Sequence, residues 1–237
     1  MHFVAPFLFF FVFLHVCMAV DPINVDLSNA KTSSNRAPSH ALHKPTDALF
    51  QAINKGDIVA ARRAISEGAM INENGDEYQK GNKQTPLMMA SLYGEAEIAA
   101  LLLEKGADPT IGEKQGYTPL HGAAFQGRFG AASVLLKANN VPFDFHEDGF
   151  HPIHRACWGT GGEHFGKTVK LFIEHGVSPR LLTRSRGEKP MTPLQLATRA
   201  GNKYTIQVIK DALEDLDADE DEPQYVDEGE SESEPDL

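Results

Sequence analysis

The chain has 237 residues, enough for one or two domains with a real core. Its 33 acidic and 22 basic side chains give a net charge of -11, but 13 of the acids crowd into residues 214–237, where there is no Lys or Arg, leaving 20 acids against 22 bases elsewhere. A near-neutral body without a block of clustered cations does not fit a nucleic-acid binder, which must displace phosphate counterions. Two cysteines, Cys17 and Cys157, exclude a disulfide framework.

Residues 1–20, MHFVAPFLFFFVFLHVCMAV, carry no charged side chain and six Phe. An apolar run of this length with small residues before Ala19 reads as a secretory signal peptide over residues 1–19, although the usual basic flank is missing. The alternative is a retained anchor, since the run approaches the length of a bilayer span. Either reading expects the rest of the chain on the lumenal or extracellular side, in the secretory pathway. If neither operates, the chain is a cytosolic adaptor. Residues 20–45 are rich in Ser, Asn, Ala and Pro without apolar periodicity, and are expected to be a disordered linker.

The middle of the chain repeats itself. TPLMMASLYGEAEIAALLLEKGADP begins at Thr85, TPLHGAAFQGRFGAASVLLKANN at Thr118, HPIHRACWGTGGEHFGKTVKLFIEHGVSP at His151 and TPLQLATRAGNKYTIQVIKDAL at Thr192, with a weaker copy from Asp47. Each copy has an oxygen-bearing or imidazole cap followed in most cases by Pro, then small residues such as Ala90-Ser91, Ala123-Ala124, Ala156-Cys157 and Ala197-Thr198. Gly56, Gly94, Gly127 and Gly201 fall where two helices should turn. Second helices follow with apolar residues at helical spacing, as at Ile98, Leu101 and Leu102 or Val169, Phe172 and Ile173, closing on Gly68, Gly106 and Gly176. Asn139 stands where the third copy would close on Gly.

These residues resemble the ankyrin repeat, with its TPLHxAA opening, its mid-repeat Gly and its LLxxGAD close. The resemblance implies an all-α repeat: an ankyrin solenoid of about five helix-turn-helix repeats with hairpin loops, spanning residues 46–213. One copy cannot bury its own apolar stripe, so the copies must stack. The outer copies carry polar residues suited to caps, Gln51, Asn54 and Lys55 at one end and Lys203, Gln207, Lys210 and Asp211 at the other. Residues 214–237 are too acidic and too poor in aliphatics to order themselves and are expected to be a disordered tail. The loop before the last copy carries Arg180, Arg184, Arg186 and Lys189, so weak pairing between loop and tail is expected. Ser231 and Ser233 have acids downstream, in the manner of acidophilic-kinase sites.

Gly161-Gly162-Glu163-His164-Phe165-Gly166-Lys167-Thr168 matches the phosphate-loop pattern GxxxxGK[ST]. That pattern needs a strand in front, and what precedes it is the first helix of a repeat, so a nucleotide-binding switch or enzyme is kept only as the alternative function. The expected reading is a glycine-rich expansion of the helix–helix turn. His146, His151, His154, His164 and His175 crowd one region without zinc-finger spacing. In the resemblance, His121 and His154 occupy the position whose imidazole bonds neighbouring loop backbone. Cys157 falls at a small core position and is expected to be buried and inert. No Ser or Cys has the setting for triad chemistry, so no enzyme, cofactor or metal is expected.

The resemblance implies binding of a protein partner on the concave face formed by hairpin loops and first helices. By position that face takes Met89, Tyr93, Phe125, Gln126, Arg155, Trp158 and Arg199 from helices and Tyr117 and Phe150 from loops. Aromatic and Arg side chains are common interface anchors, although Phe125 and Trp158 could equally pack between repeats. The expected protein is a monomeric, non-enzymatic scaffold whose partner the sequence does not name.

Overall fold

Thr-Pro pairs start the first helices. Thr85 has extended backbone, and its Oγ1 accepts the Met88 N–H at 3.2 Å while Pro86 takes the first helical position. Thr192 does the same for Gln195 N–H at 3.2 Å, and Gln195 Oε1 accepts Thr192 N–H in return at 2.9 Å. The computed structural model describes residues 40–74, 83–138, 141, 146–184 and 189–221, within the unit Ser39–Leu237.

In chain order the helices are α1 His40–Lys55, α2 Ile58–Ser66, α3 Pro86–Tyr93, α4 Ala96–Glu104, α5 Pro119–Phe125, α6 Phe129–Lys137, α7 Pro152–Cys157, α8 Glu163–Glu174, α9 Pro193–Ala200 and α10 Lys203–Asp221. No strand occurs among the described residues. First helices stack as α1, α3, α5, α7, α9, and second helices as α2, α4, α6, α8, α10. This is the expected all-α array of helix-turn-helix repeats. Its core runs through all five copies, from Leu49, Phe50 and Ile53 through Ile98, Leu102, Leu120 and Leu135 to Val169, Phe172, Leu196 and Ile209. Gly94 and Gly201 turn between paired helices at φ +83° and +73°, which a side chain would strain.

Hairpin loops recur in register. Glu113 N–H bonds Tyr117 O at 3.1 Å, and 33 residues on, His146 N–H bonds Phe150 O at 3.0 Å. Small residues at the helix contacts are buried as far as Ala197, whereas Thr198 of the last copy is exposed, having no further repeat to pack against. The polar residues expected to cap the ends, from Gln51 to Lys55 and from Lys203 to Asp211, are exposed.

Two boundaries differ from the sequence reading. α1 begins at His40, so Asp47, read as the start of the first copy, lies inside it together with Pro45; Thr46 is buried, its Oγ1 accepting Met70 N–H at 2.9 Å. At the other end α10 runs to Asp221, eight residues into the segment expected to be disordered. Ala212, Leu213, Leu216 and Ala218 are good helix formers, and the packed start of α10 supplies the nucleus that a free peptide lacks. The apolar run at residues 1–20, the linker up to Ser39, Asn139, Arg186, Ser231 and Ser233 lie outside the described residues. Among those described, no helix is long and apolar enough to cross a membrane.

Candidate functional site

Four of the expected surface residues, Tyr117, Phe150, Arg155 and Trp158, meet at the third and fourth repeats. Arg155, on α7, is only 8% exposed. Its Nη2 donates to Tyr117 Oη at 2.8 Å and pairs with Asp148 Oδ2, and Tyr117 Oη donates to the same carboxylate at 2.8 Å. Rings complete the enclosure. The guanidinium carbon stands 4.8 Å from the Tyr117 ring centre, 4.9 Å from Phe150 and 5.9 Å from Trp158. Phe150 and Trp158 stack at 5.1 Å, and His146 stacks on Tyr117 at 3.8 Å. Arg155 Nε is buried and finds no hydrogen-bond partner among the described residues, so the ring faces stand in for it.

Electrostatics follow from this enclosure. Burial pushes the Asp148 carboxyl upward, but Arg155, the Tyr117 hydroxyl and the Phe150 N–H together hold it below its ordinary value. Burial raises the Tyr117 phenol well above its usual range. One repeat earlier, burial pushes Glu113, 7% exposed, up to about 7 against the pull of a Gln84 hydrogen bond. Gln115, with its amide nitrogen turned inward, donates to both Glu113 oxygens at 2.7 and 3.0 Å.

The histidines act as ties between repeats. His121 Nε2 donates to Phe150 O at 3.3 Å while its Nδ1 accepts the Thr118 hydroxyl at 2.9 Å. His154 Nε2 donates to Leu181 O at 2.9 Å, and its Nδ1 accepts His151 N–H at 3.1 Å. Each therefore fastens a first helix to the next hairpin, as the resemblance implied. Burial is the main reason both are pushed down to about 4. Elsewhere in the crowd, His146 Nε2 bonds Gln115 O, and His175 Nδ1 lies 2.9 Å from Leu171 O. No group of three or more His, Cys, Asp or Glu among the described residues is placed to hold a metal ion. Cys157 is fully buried and its thiol is pushed up by that burial.

The phosphate-loop pattern is spent on packing. Helix α8 already begins at Glu163, so the Gly166 and Lys167 amides lie beyond the first three helical residues, whose N–H groups are those free to cradle a phosphate. Lys167 pairs with Glu163 at 3.1 Å, and the buried Thr168 hydroxyl donates to His164 O at 2.9 Å. Gly166 is explained by a neighbour: a Cβ there would run into the Tyr204 ring on α10. The turn before α8 is pinned by Asn202, whose Nδ2 donates to Gly159 O at 3.1 Å. The geometry fits the expanded turn.

Of the nine expected surface residues, Arg155, Phe150 and Met89 are buried, and Arg199 is exposed. Tyr93, Tyr117, Phe125, Gln126 and Trp158 are half-buried. Phe125, Trp158 and Arg199 share one register, each seven residues after its cap Thr118, His151 or Thr192, and Tyr93, eight residues after Thr85, shares the next with Gln126. Sequence reasoning missed Asp148 and Glu113, and singled out His146 only as one of the crowded histidines. For Asp148 a signal existed, because Asp-Gly marks a tight turn that fixes the carboxylate at a hairpin tip.

Residues 71–123 match the model of the family described as ankyrin repeats (many copies). An ankyrin repeat protein of fowlpox virus (strain NVSL) is 30% identical over 94 residues, a match covering 40% of this chain and 22% of that protein. The chain thus spans under a quarter of the length of the curated relative it matches. Ankyrin repeats indicate a protein–protein interaction module.

Proposed function

We propose that this chain is a non-enzymatic scaffold of the secretory pathway that binds a protein partner through the ends of its first helices and the adjoining hairpin loops. The observation that carries it is a row at the ends of the first helices, the half-buried Phe125 and Trp158 in register with the exposed Arg199, and beside it the half-buried Tyr93 and Gln126 one position on. Aromatics held partly in a rigid scaffold lose little entropy when a partner covers them. Tyr117, Phe150 and Arg155 support that row from beneath by locking the hairpins, and Met89 lies in the core below it.

A photo-crosslinking side chain placed at Tyr93 or Phe125 of the full chain tests the surface in the native cell. Discrete adducts are expected from these positions and none from Val59, which is 75% exposed on a second helix. Adducts from Val59 alone would move the interface to the other side of the repeats. Truncating a true anchor, as in Phe125→Ala, should weaken capture by about 2 kcal/mol or more. Protease protection of the tagged chain in isolated membranes tests the compartment, with digestion before detergent counting against it.

A further inference from the structure

The hairpin between the fourth and fifth repeats is unlike the two before it. Residues 178–191 read SPRLLTRSRGEKPM, with four cations and one acid. Its stem is rigid. Thr183 is buried, its N–H bonding Met191 O and its Oγ1 accepting Met191 N–H, both at 3.0 Å. Leu181 O receives His154, and Arg184 N–H bonds Gly149 O at 2.7 Å. On this fixed stem Arg180, Arg184 and Lys189 are exposed, and Leu182 is 49% exposed among them. The result is a cationic surface with an apolar spot.

The described end of the chain arrives at this surface. Asp217 on α10 pairs with Arg180, and α10 ends at Asp221, one helical turn or about 6 Å beyond. The next sixteen residues, 222–237, hold seven acids, no base, and the apolar pair Tyr225-Val226. Sixteen residues reach up to about 50 Å, so the loop is well within their range. A segment delivered this close has an effective concentration of about millimolar order, which lets weak contacts be populated. Its acids complement the loop's cations, and its Tyr-Val pair complements Leu182.

We propose that Arg180, Leu182, Arg184 and Lys189 form a docking surface for an acidic segment bearing a short apolar pair, and that the chain's own residues 222–237 occupy it. The Arg180–Asp217 pair is the fixed edge of that contact. This is independent of the aromatic row proposed above, which lies on the first helices.

The test uses the full chain carrying Arg180→Lys, which keeps the charge and adds an amine for carbodiimide coupling. Zero-length cross-links from position 180 and Lys189 to carboxylates of 222–237 are expected, at a yield independent of protein concentration. The yield should fall several-fold from about 0.01 M to about 1 M salt, as the Debye length shrinks from about 30 Å to about 3 Å. Links spread evenly over exposed lysines such as Lys55, Lys105 and Lys137 would overturn the proposal, as would links that grow with protein concentration, which assign the surface to a second copy. A labelled peptide of residues 222–237 provides the second measurement. It should bind the full chain at least fivefold more tightly when the acids of 222–237 are changed to Gln and Asn, because the surface is then vacated. Equal affinity for the two chains would overturn the proposal.

Discussion

Two Arg–Asp pairs in this molecule share the same chemistry and opposite surroundings. Arg155 and Asp148 meet beneath the hairpins of the third and fourth repeats, with the cation 8% exposed and enclosed by three rings. Arg180 and Asp217 meet at the end of the array, their side chains 47% and 63% exposed. In the first pair the guanidinium has left water while the Asp148 side chain stays 33% exposed, so the cation's lost hydration contacts must be matched by Asp148, Tyr117 or an aromatic face. In the second, water still solvates both partners, so the attraction is weak and screened. The buried pair holds two repeats in register. The exposed pair can open and close at little cost.

The comparison breaks most visibly at Asp148. Asp148→Ala leaves a buried guanidinium without its counter-charge and the Tyr117 hydroxyl without its acceptor, and should cost about 3–5 kcal/mol. The double change Arg155→Met with Asp148→Asn removes both charges while keeping an acceptor for Tyr117, and should cost less than Asp148→Ala alone. Urea midpoints of the full-length variants decide this. A loss below about 1 kcal/mol for Asp148→Ala would put the pair in the class of surface pairs and void the contrast.

The same burial makes the repeat junctions sensitive to pH. His121 and His154 are held at about 4, below the roughly 6.5 of an unfolded histidine. The unfolded chain therefore takes up protons first as pH falls, so their stabilisation is complete above about pH 6.5 and is lost between there and about pH 4. Each contributes up to about 3 kcal/mol to that loss. Glu113 has the opposite sign. Raised to about 7, it favours the fold while neutral and loses that contribution as pH rises from about 4.5 to 7. Melts between pH 4.5 and 8 should show His154→Gln flattening the acid side and Glu113→Gln stabilising the chain at pH 8 but hardly at pH 5. An unchanged acid limb in His154→Gln would mean that the imidazole is not the group titrating.

Helix starts and turns were legible because they are local. Thr85-Pro86, Thr192-Pro193, Gly94 and Gly201 specify backbone geometry within a few residues, and the structure uses them as such. The resemblance to the ankyrin repeat carried more, since it implied that His121 and His154 bond neighbouring loop backbone before any contact was known. Arg155 was different. Its destination depends on Asp148 seven residues upstream and Tyr117 thirty-eight upstream, which meet only once repeats have stacked. A residue at a variable repeat position reads as surface, and nothing local says that three rings will close over it. The extension of α10 was hidden for a related reason. Its acids signal disorder by composition, yet Leu213 and Leu216 continue a helix whose first turns are already packed on α8 and α9.

The smallest effect sharpens the contrast most. Arg180→Ala and Asp217→Ala should each change stability by about 1 kcal/mol or less, and by nothing measurable at high salt. Their loss should still be felt where the exposed pair is placed to act. Each removes the fixed edge beside the cationic hairpin, so amide exchange in the last turns of α10, from Leu216 to Asp221, should quicken while that of α8 stays as it was. Arg155→Ala should do the reverse, opening the hairpins around Tyr117 and Phe150 and leaving the end of α10 untouched. If Arg180→Ala lowered the urea midpoint as far as Asp148→Ala does, exposure would not be what separates the two pairs, and the last turns of α10 would belong to the core that its first turns already join.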